Sequence, residues 1–194
     1  MNQLDISIKN TIPPERGKIL LSEPFLMDDF FSRAVVLLCD HGAEGSFGFV
    51  INNYTDLSFM DINPKFPDIP LRVSIGGPVK PEHLYFLHTL DHKQIGGQHI
   101  IDNIYLGGDF ETVLNMLQAN AELIDHLRFF LGYSGWTAGQ LEDELLENSW
   151  LVAPAPQTSL IMDTSNETIW KELMESQGGI YKLMSGFPLD PRMN

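Results

Sequence analysis

Apolar residues along this chain fall into short runs in the first half and into helix-period stripes in the second, so strands are expected early and helices late. Residues 17–22 read as a first strand closed by Glu23-Pro24, and 28–33 as a single helical turn. The longest unbroken apolar run, the six residues 34–39, predicts a strand buried on both faces. A turn-like stretch with two glycines then leads to a partner strand at 47–52, giving a hairpin. Pro64, Pro67 and Pro70 punctuate the next segment, which holds a short helix near 59–63. Strands follow at 71–75 and 84–89, separated by Gly76-Gly77-Pro78, and a strand pair at 100–106 straddles Asp102-Asn103.

The first clear helix is predicted at 110–117, with Asp109 as its cap and Phe110, Val113, Leu114 and Leu117 on one stripe. A strand at 127–131, a helix at 138–147 and strands at 150–152 and 159–162 come next. Thr164-x-x-Glu167 has the form of a capping box opening a helix with Ile169, Trp170, Leu173 and Met174 inward, ended by Gly178-Gly179. Strands and helices do not alternate as a doubly wound parallel sheet requires. The pattern therefore predicts an α+β fold with a mainly antiparallel, coiled sheet and helices mostly in the second half. Residues 1–194 read as one domain, with 1–16 a loosely attached, Pro13-Pro14-containing leader.

One segment stands apart from this periodicity. Gly132-Tyr133-Ser134-Gly135-Trp136-Thr137 follows a strand and precedes a helix, so it reads as a sharp glycine-permitted corner. Thr137 and Gln140 fit a capping box, the hydroxyl serving the N3 amide and the glutamine serving the cap's own N–H.

Charge narrows the function classes. The formal net charge is −14, and it is uneven: residues 98–194 carry 4 Lys/Arg against 14 Asp/Glu. Nucleic-acid binding requires cations to displace phosphate counterions, and anionic membranes require them too, so neither partner is expected. A basic protein partner suits the acidic half. No apolar run spans a bilayer and no export signal is visible, while a lone Cys39 offers no internal disulfide. Cytoplasmic residence is expected.

Candidate chemistry is sparse. Ser134 resembles a nucleophile elbow, but Trp136 replaces its last glycine, and all six histidines precede the serine. His88 and His92 have i, i+4 spacing without the glutamate of a metalloprotease helix, so no metal site is predicted. The glycine doublets lack P-loop or dinucleotide spacing and read as turns, Gly76-Gly77-Pro78 being the most distinctive. Glu142, Asp143 and Glu144 sit where a helix N-terminus favours negative charge.

Taken in order, Asp28, Phe31 and Val35, then His41, Gly45, Gly48 and Asn52, then Gly76-Gly77-Pro78-Val79 with Leu87-His88, and finally 132–142 with Asn148 and Trp150 resemble the AlgH/YqgE family of bacterial proteins. Asp29, Ala34 and Asn53-Tyr54 depart from that pattern, where proline, a hydroxyl residue and a basic residue with proline are usual. The resemblance implies a bifurcated, coiled sheet forming a pseudo-barrel. It brings no cofactor and no catalytic residue, and part of the family carries the label of transcriptional regulator. The candidate ligand or functional surface comprises His41, Asn52, Gly76, Gly77, Pro78, His88, Tyr133, Ser134, Trp136, Gln140 and Glu142. The leading expectation is a non-catalytic binding or regulatory module acting through protein contacts. Its rival is a hydrolase with a site near Ser134 and His88.

Overall fold

The computed structural model describes residues 8–188 apart from 58, 63, 70 and 71. In chain order the strands are β1 (Lys18–Ser22), β2 (Val35–Gly42), β3 (Gly45–Val50), β4 (Ser74–Ile75), β5 (Val79–His88), β6 (Gln98–Ile101), β7 (Ile104–Leu106), β8 (Leu127–Thr137) and β9 (Trp150–Pro154). The helices are α1 (Phe59–Ile62), α2 (His92–Ile95), α3 (Phe110–Ala119), α4 (Gln140–Leu146), α5 (Thr158–Met162), α6 (Ile169–Ser176) and α7 (Gly179–Met184). The strands join in the order β6-β7-β5-β8-β3-β2-β1-β9, with β4 against β8. All pairings are antiparallel except β4 with β8. The fold is α+β, as the pattern predicts.

The sheet divides at β8. The first half of this strand pairs with β5 and β4, and its second half with β3. Strand pairing does not close the sheet, but it coils back on itself: a Cβ added to Gly17, just before β1, would lie 3.1 Å from the Ile100 carbonyl of β6. Three apolar clusters result. The central one fills the inside of the coil with Ile19, Leu37, Phe49 and Phe130, and α5, α6 and α7 cap it with Ile161, Trp170, Leu173 and Met184. A second lies under α1 and α3. A third lies under α4, around Trp136, Leu141 and Trp150.

The expected corner at 132–135 is not there. Leu127–Thr137 runs as one strand of 11 residues, and the turn comes only at Ala138-Gly139, with Gly139 left-handed. Gly132 explains why the sequence looks broken at this point. It has φ of +65°, and a Cβ there would lie 2.5 Å from the Gly77 carbonyl oxygen. This left-handed step shifts the alternation, so Phe130 and Tyr133, three residues apart, both pack against the central cluster, while the register irregularity itself lies on β5 between Val79 and Leu84. The chain bends and changes partners without leaving the sheet.

Two further expectations change. Residues 159–162 form the helix α5 rather than a strand, and the Ile161 carbonyl accepts a hydrogen bond from the buried Arg128 guanidinium. The short apolar run Leu160-Ile161-Met162 is compatible with either element, and tertiary contact selects one. Thr164 and Glu167 do not cap α6, which begins at Ile169. Instead Asn166 accepts the Thr168 N–H at 2.9 Å, while Glu167 pairs with Arg72 at 2.9 Å. The inward set Ile169, Trp170, Leu173 and Met174 is buried as expected. The strand pairs 35–50 and 98–106 form hairpins, and Asp109 caps α3 through the amides of Glu111 and Thr112.

Of the leader expected over 1–16, residues 1–7 lie outside the described residues. Ile8 is buried, and Asn10 clamps β9: its amide donates to the Trp150 carbonyl at 2.9 Å and its oxygen accepts the Val152 N–H at 2.6 Å. Residues 63, 70 and 71, at the ends of the expected helix and strand, also lie outside the described residues. No helix among the described residues is long and apolar enough to cross a membrane.

Candidate functional site

At the mouth of the coil, where β2, β3, β5 and β8 leave the central cluster uncovered, lies an open groove of about 680 Å³. Its walls are built by register. Asp40 faces Phe47 across β2 and β3, Phe47 faces Gly135 across β3 and β8, and Val79 faces Tyr133 across β5 and β8. Because alternate strand residues share a face, these side chains point to the same side. Tyr133 folds across Gly135, where a Cβ would come within 3.0 Å of its ring. Phe47 and Tyr133 meet edge to face at 6.1 Å and 82°, and Tyr85 and Tyr133 at 5.8 Å and 80°. Asp40, Glu44 and Lys80 add charge to the lining. The Arg16 guanidinium, 2.7 Å from Asp40, holds the Asp40 carboxyl below its usual range. Burial, with Tyr133 and Glu82 nearby, raises the pKa of Tyr85, so its phenol stays neutral and hydrogen-bond competent.

The opposite face of the same strands is occupied by α4. His41 and Ser46 are cross-strand partners, and His41 Nδ1 lies 2.8 Å from Ser46 Oγ. His41 Nε2 lies 3.7 Å from Glu142 Oε1 on α4. Two expected site residues, His41 and Glu142, therefore come together. Beside them, Glu144 Oε2 accepts the indole N–H of Trp136 at 2.8 Å and of Trp150 at 2.7 Å. Gln140 donates to Glu144 Oε1 at 3.0 Å, and its own oxygen accepts the Thr137 N–H at 3.0 Å. Only half of the expected capping box forms. The Thr137 hydroxyl donates to Gln140 as well, and the N-cap of α4 is Gly139 without a side-chain bond.

The remaining expected residues do not join the groove. Ser134 is fully buried, and its hydroxyl donates to the Gly76 carbonyl at 2.9 Å. The Gly76 N–H is already bonded to Leu131, so no anion cradle forms on it. Gly77, at φ +149°, passes so close to β8 that a Cβ would lie 2.5 Å from the Ser134 amide nitrogen. Pro78 is exposed and leads into Val79 of the groove wall. Asn52 is a latch: its oxygen accepts the Val35 N–H and its amide donates to the Arg33 carbonyl, each at 2.8 Å.

His88 lies far from Ser134. It sits opposite Leu127 in the β5–β8 register, seven residues before Ser134 on β8, or about 20 Å along the strand. The ring is buried, with Nε2 donating to the Gly96 carbonyl at 3.1 Å, and burial lowers its pKa. His92 opens α2 and stacks on Tyr105 at 4.9 Å, so the i, i+4 spacing does not place the two imidazoles on one helical face. A hydrolase pairing Ser134 with His88 does not fit this geometry.

Sequence reasoning misses two features. Phe47 and Tyr85 read only as strand hydrophobics; nothing in their spacing marks them as groove walls. Arg128 reads as a lone cation within a strand, yet it is fully buried. Its guanidinium donates to the carbonyls of Ile161, Asp163 and Ile51 and to the Ser74 and Tyr54 hydroxyls, tying α5 to the sheet.

An AlgH-like family model matches residues 19–182. The chain belongs to the AlgH-like family. Among curated relatives, a UPF0301 protein of Cytophaga hutchinsonii is 41% identical over 180 residues, covering 92% of this chain and 98% of its own length. A UPF0301 protein of Bacteroides fragilis is 42% identical over 188 residues, covering 95% and 94%. Solved structures share the fold. Protein DIP2367 from Corynebacterium diphtheriae superposes with a TM-score of 0.75 at 21% identity, covering 93% of this chain and 95% of that one. The solution structure of the AlgH protein from Pseudomonas aeruginosa gives 0.68 at 24% identity, covering 93% and 98%.

Proposed function

We propose that this AlgH-like protein is a cytoplasmic, non-catalytic binding module that docks a partner protein at the mouth of its coiled sheet. The carrying observation is the groove itself: an open concave surface walled by Phe47, Tyr85 and Tyr133, with Ser134, the nucleophile of the rival hydrolase reading, buried behind it. Aromatic walls with a few polar groups supply contact area at low side-chain entropy cost, which suits recognition. A regulatory role would run through such contacts, since the acidic chain carries the wrong sign for direct binding to DNA. The test is a photocrosslinking amino acid placed at Lys80 in the full chain, with and without Tyr133→Leu. A discrete crosslinked protein lost in the variant is expected; crosslinking indifferent to Tyr133 would remove the groove from this role.

A second reading, hydrolysis, has one observation in its favour, the 2.8 Å contact between His41 and Ser46 with Glu142 beyond it. The Ser46 side chain shares the α4 face with its cross-strand partner Trp136 and is nearly buried. A panel of ester, phosphate and amide substrates, with Ser46→Ala and Ser134→Ala as controls, is expected to show no turnover dependent on either serine.

A further inference from the structure

We infer that the guest of the mouth groove is an arginine side chain presented by a basic segment of the partner. This deepens the docking reading and rests on it. Tyr133 stands nearly perpendicular to both Phe47 and Tyr85, so the three rings make a corner with π-faces turned in different directions. A cation placed in such a corner is attracted by the faces of the rings, and a planar guanidinium stacks on one of them while its edge remains free for carboxylates. Those carboxylates are at hand: Glu44 lines the groove, and Glu82, with Oε1 3.0 Å from His83 Nδ1, sits on β5 beside Tyr85, whose ring lies 6.5 Å from that of His83. Both glutamates are exposed side chains.

The chain itself uses the same chemistry, guanidinium on carboxylate and on aromatic face, at other places. At the groove rim Arg16 already binds Asp40 at 2.7 Å. Elsewhere Arg72 stacks over Tyr54 at 4.0 Å and Arg33 over Trp170 at 5.0 Å. A net charge of −14 steers a cationic segment toward the molecule before any specific contact forms. Lys80 is the one opposing charge in the lining, and as an exposed, flexible side chain it can swing aside.

The experiment is an NMR titration of the ¹⁵N-labelled full chain with acetyl-Gly-Ser-Arg-Ser-Gly-amide and with the same peptide carrying citrulline, which keeps the shape and removes the charge. The arginine peptide is expected to shift the amides of Phe47, Tyr85 and Tyr133 saturably, with an affinity at least fivefold above that of the citrulline peptide. Glu44→Lys and Glu82→Lys, at exposed positions that leave the core untouched, should each weaken the arginine peptide by threefold or more. Equal binding of the two peptides, or shifts confined to residues outside the groove, would overturn the arginine assignment. If Tyr133-dependent crosslinking persists in that case, the docking reading stands without a cationic guest; if it fails too, both fall.

Discussion

Arg128 carries the largest consequence at a single position. A buried guanidinium is tolerated because carbonyl and hydroxyl oxygens from three separate segments surround it. Arg128→Ala is expected to cost about 3–5 kcal/mol, read from urea denaturation, with Arg128→Lys recovering only a part because an ammonium cannot fork to the same partners. His88 gives the pH dependence. Its folded-state pKa is lowered by burial, so below the unfolded value of about 6.5 the unfolded chain binds more protons and stability falls as pH drops. His88→Gln, which keeps a donor for the Gly96 carbonyl, should flatten the stability–pH curve below about 6.5; an unchanged slope would mean that another group governs it. Neither role is legible locally, because one arginine in a strand or one histidine at a strand end looks the same whether solvated or enclosed.

Strand β8 and helix α4 show what element-level reading can and cannot reach. The unusual composition of 132–142 signals a built feature, but the glycines that suggest a corner instead permit a left-handed step and a change of partners inside a continuous strand. Gly132→Ala forces a Cβ against the Gly77 carbonyl at a positive φ, and a loss of about 2 kcal/mol or more is expected by thermal denaturation. The acidic first turns of α4 have a sufficient reason in the helix dipole, yet Glu144 does more by holding two indoles, eight residues before it and six residues after it. Glu144→Ala should release Trp136 and Trp150, lowering stability by about 2–4 kcal/mol and altering tryptophan emission. A variant with native emission and stability would show that packing alone holds those rings. Phe47 and Tyr85 are visible in the sequence as strand hydrophobics and Tyr133 as part of an expected corner and candidate surface; that they face one opening depends on pairings between strands far apart in the chain.

On the scale of the whole molecule, the late helices are part of the packed core of the coiled sheet rather than an appendage. α5, α6 and α7 complete the central cluster, and α5 supplies the Ile161 carbonyl to Arg128. A chain ending at residue 156 is therefore expected to lose cooperative unfolding, seen as a broad, low-enthalpy calorimetric transition; a sharp one would show that the sheet stands alone. Local pattern determined much here: the early hairpin, the capped α3, the inward stripe of α6 and the mainly antiparallel α+β class. These depend on residues within a few positions of one another, whose periodicity and capping chemistry act without distant partners. Only the tertiary structure decided that β8 runs through its glycines, that 158–162 is helical, that Ser134 is enclosed and His88 remote, and that three aromatic rings share a mouth. Each of those outcomes depends on long-range register and burial, whose energies exceed local propensity and leave no signature in adjacent residues.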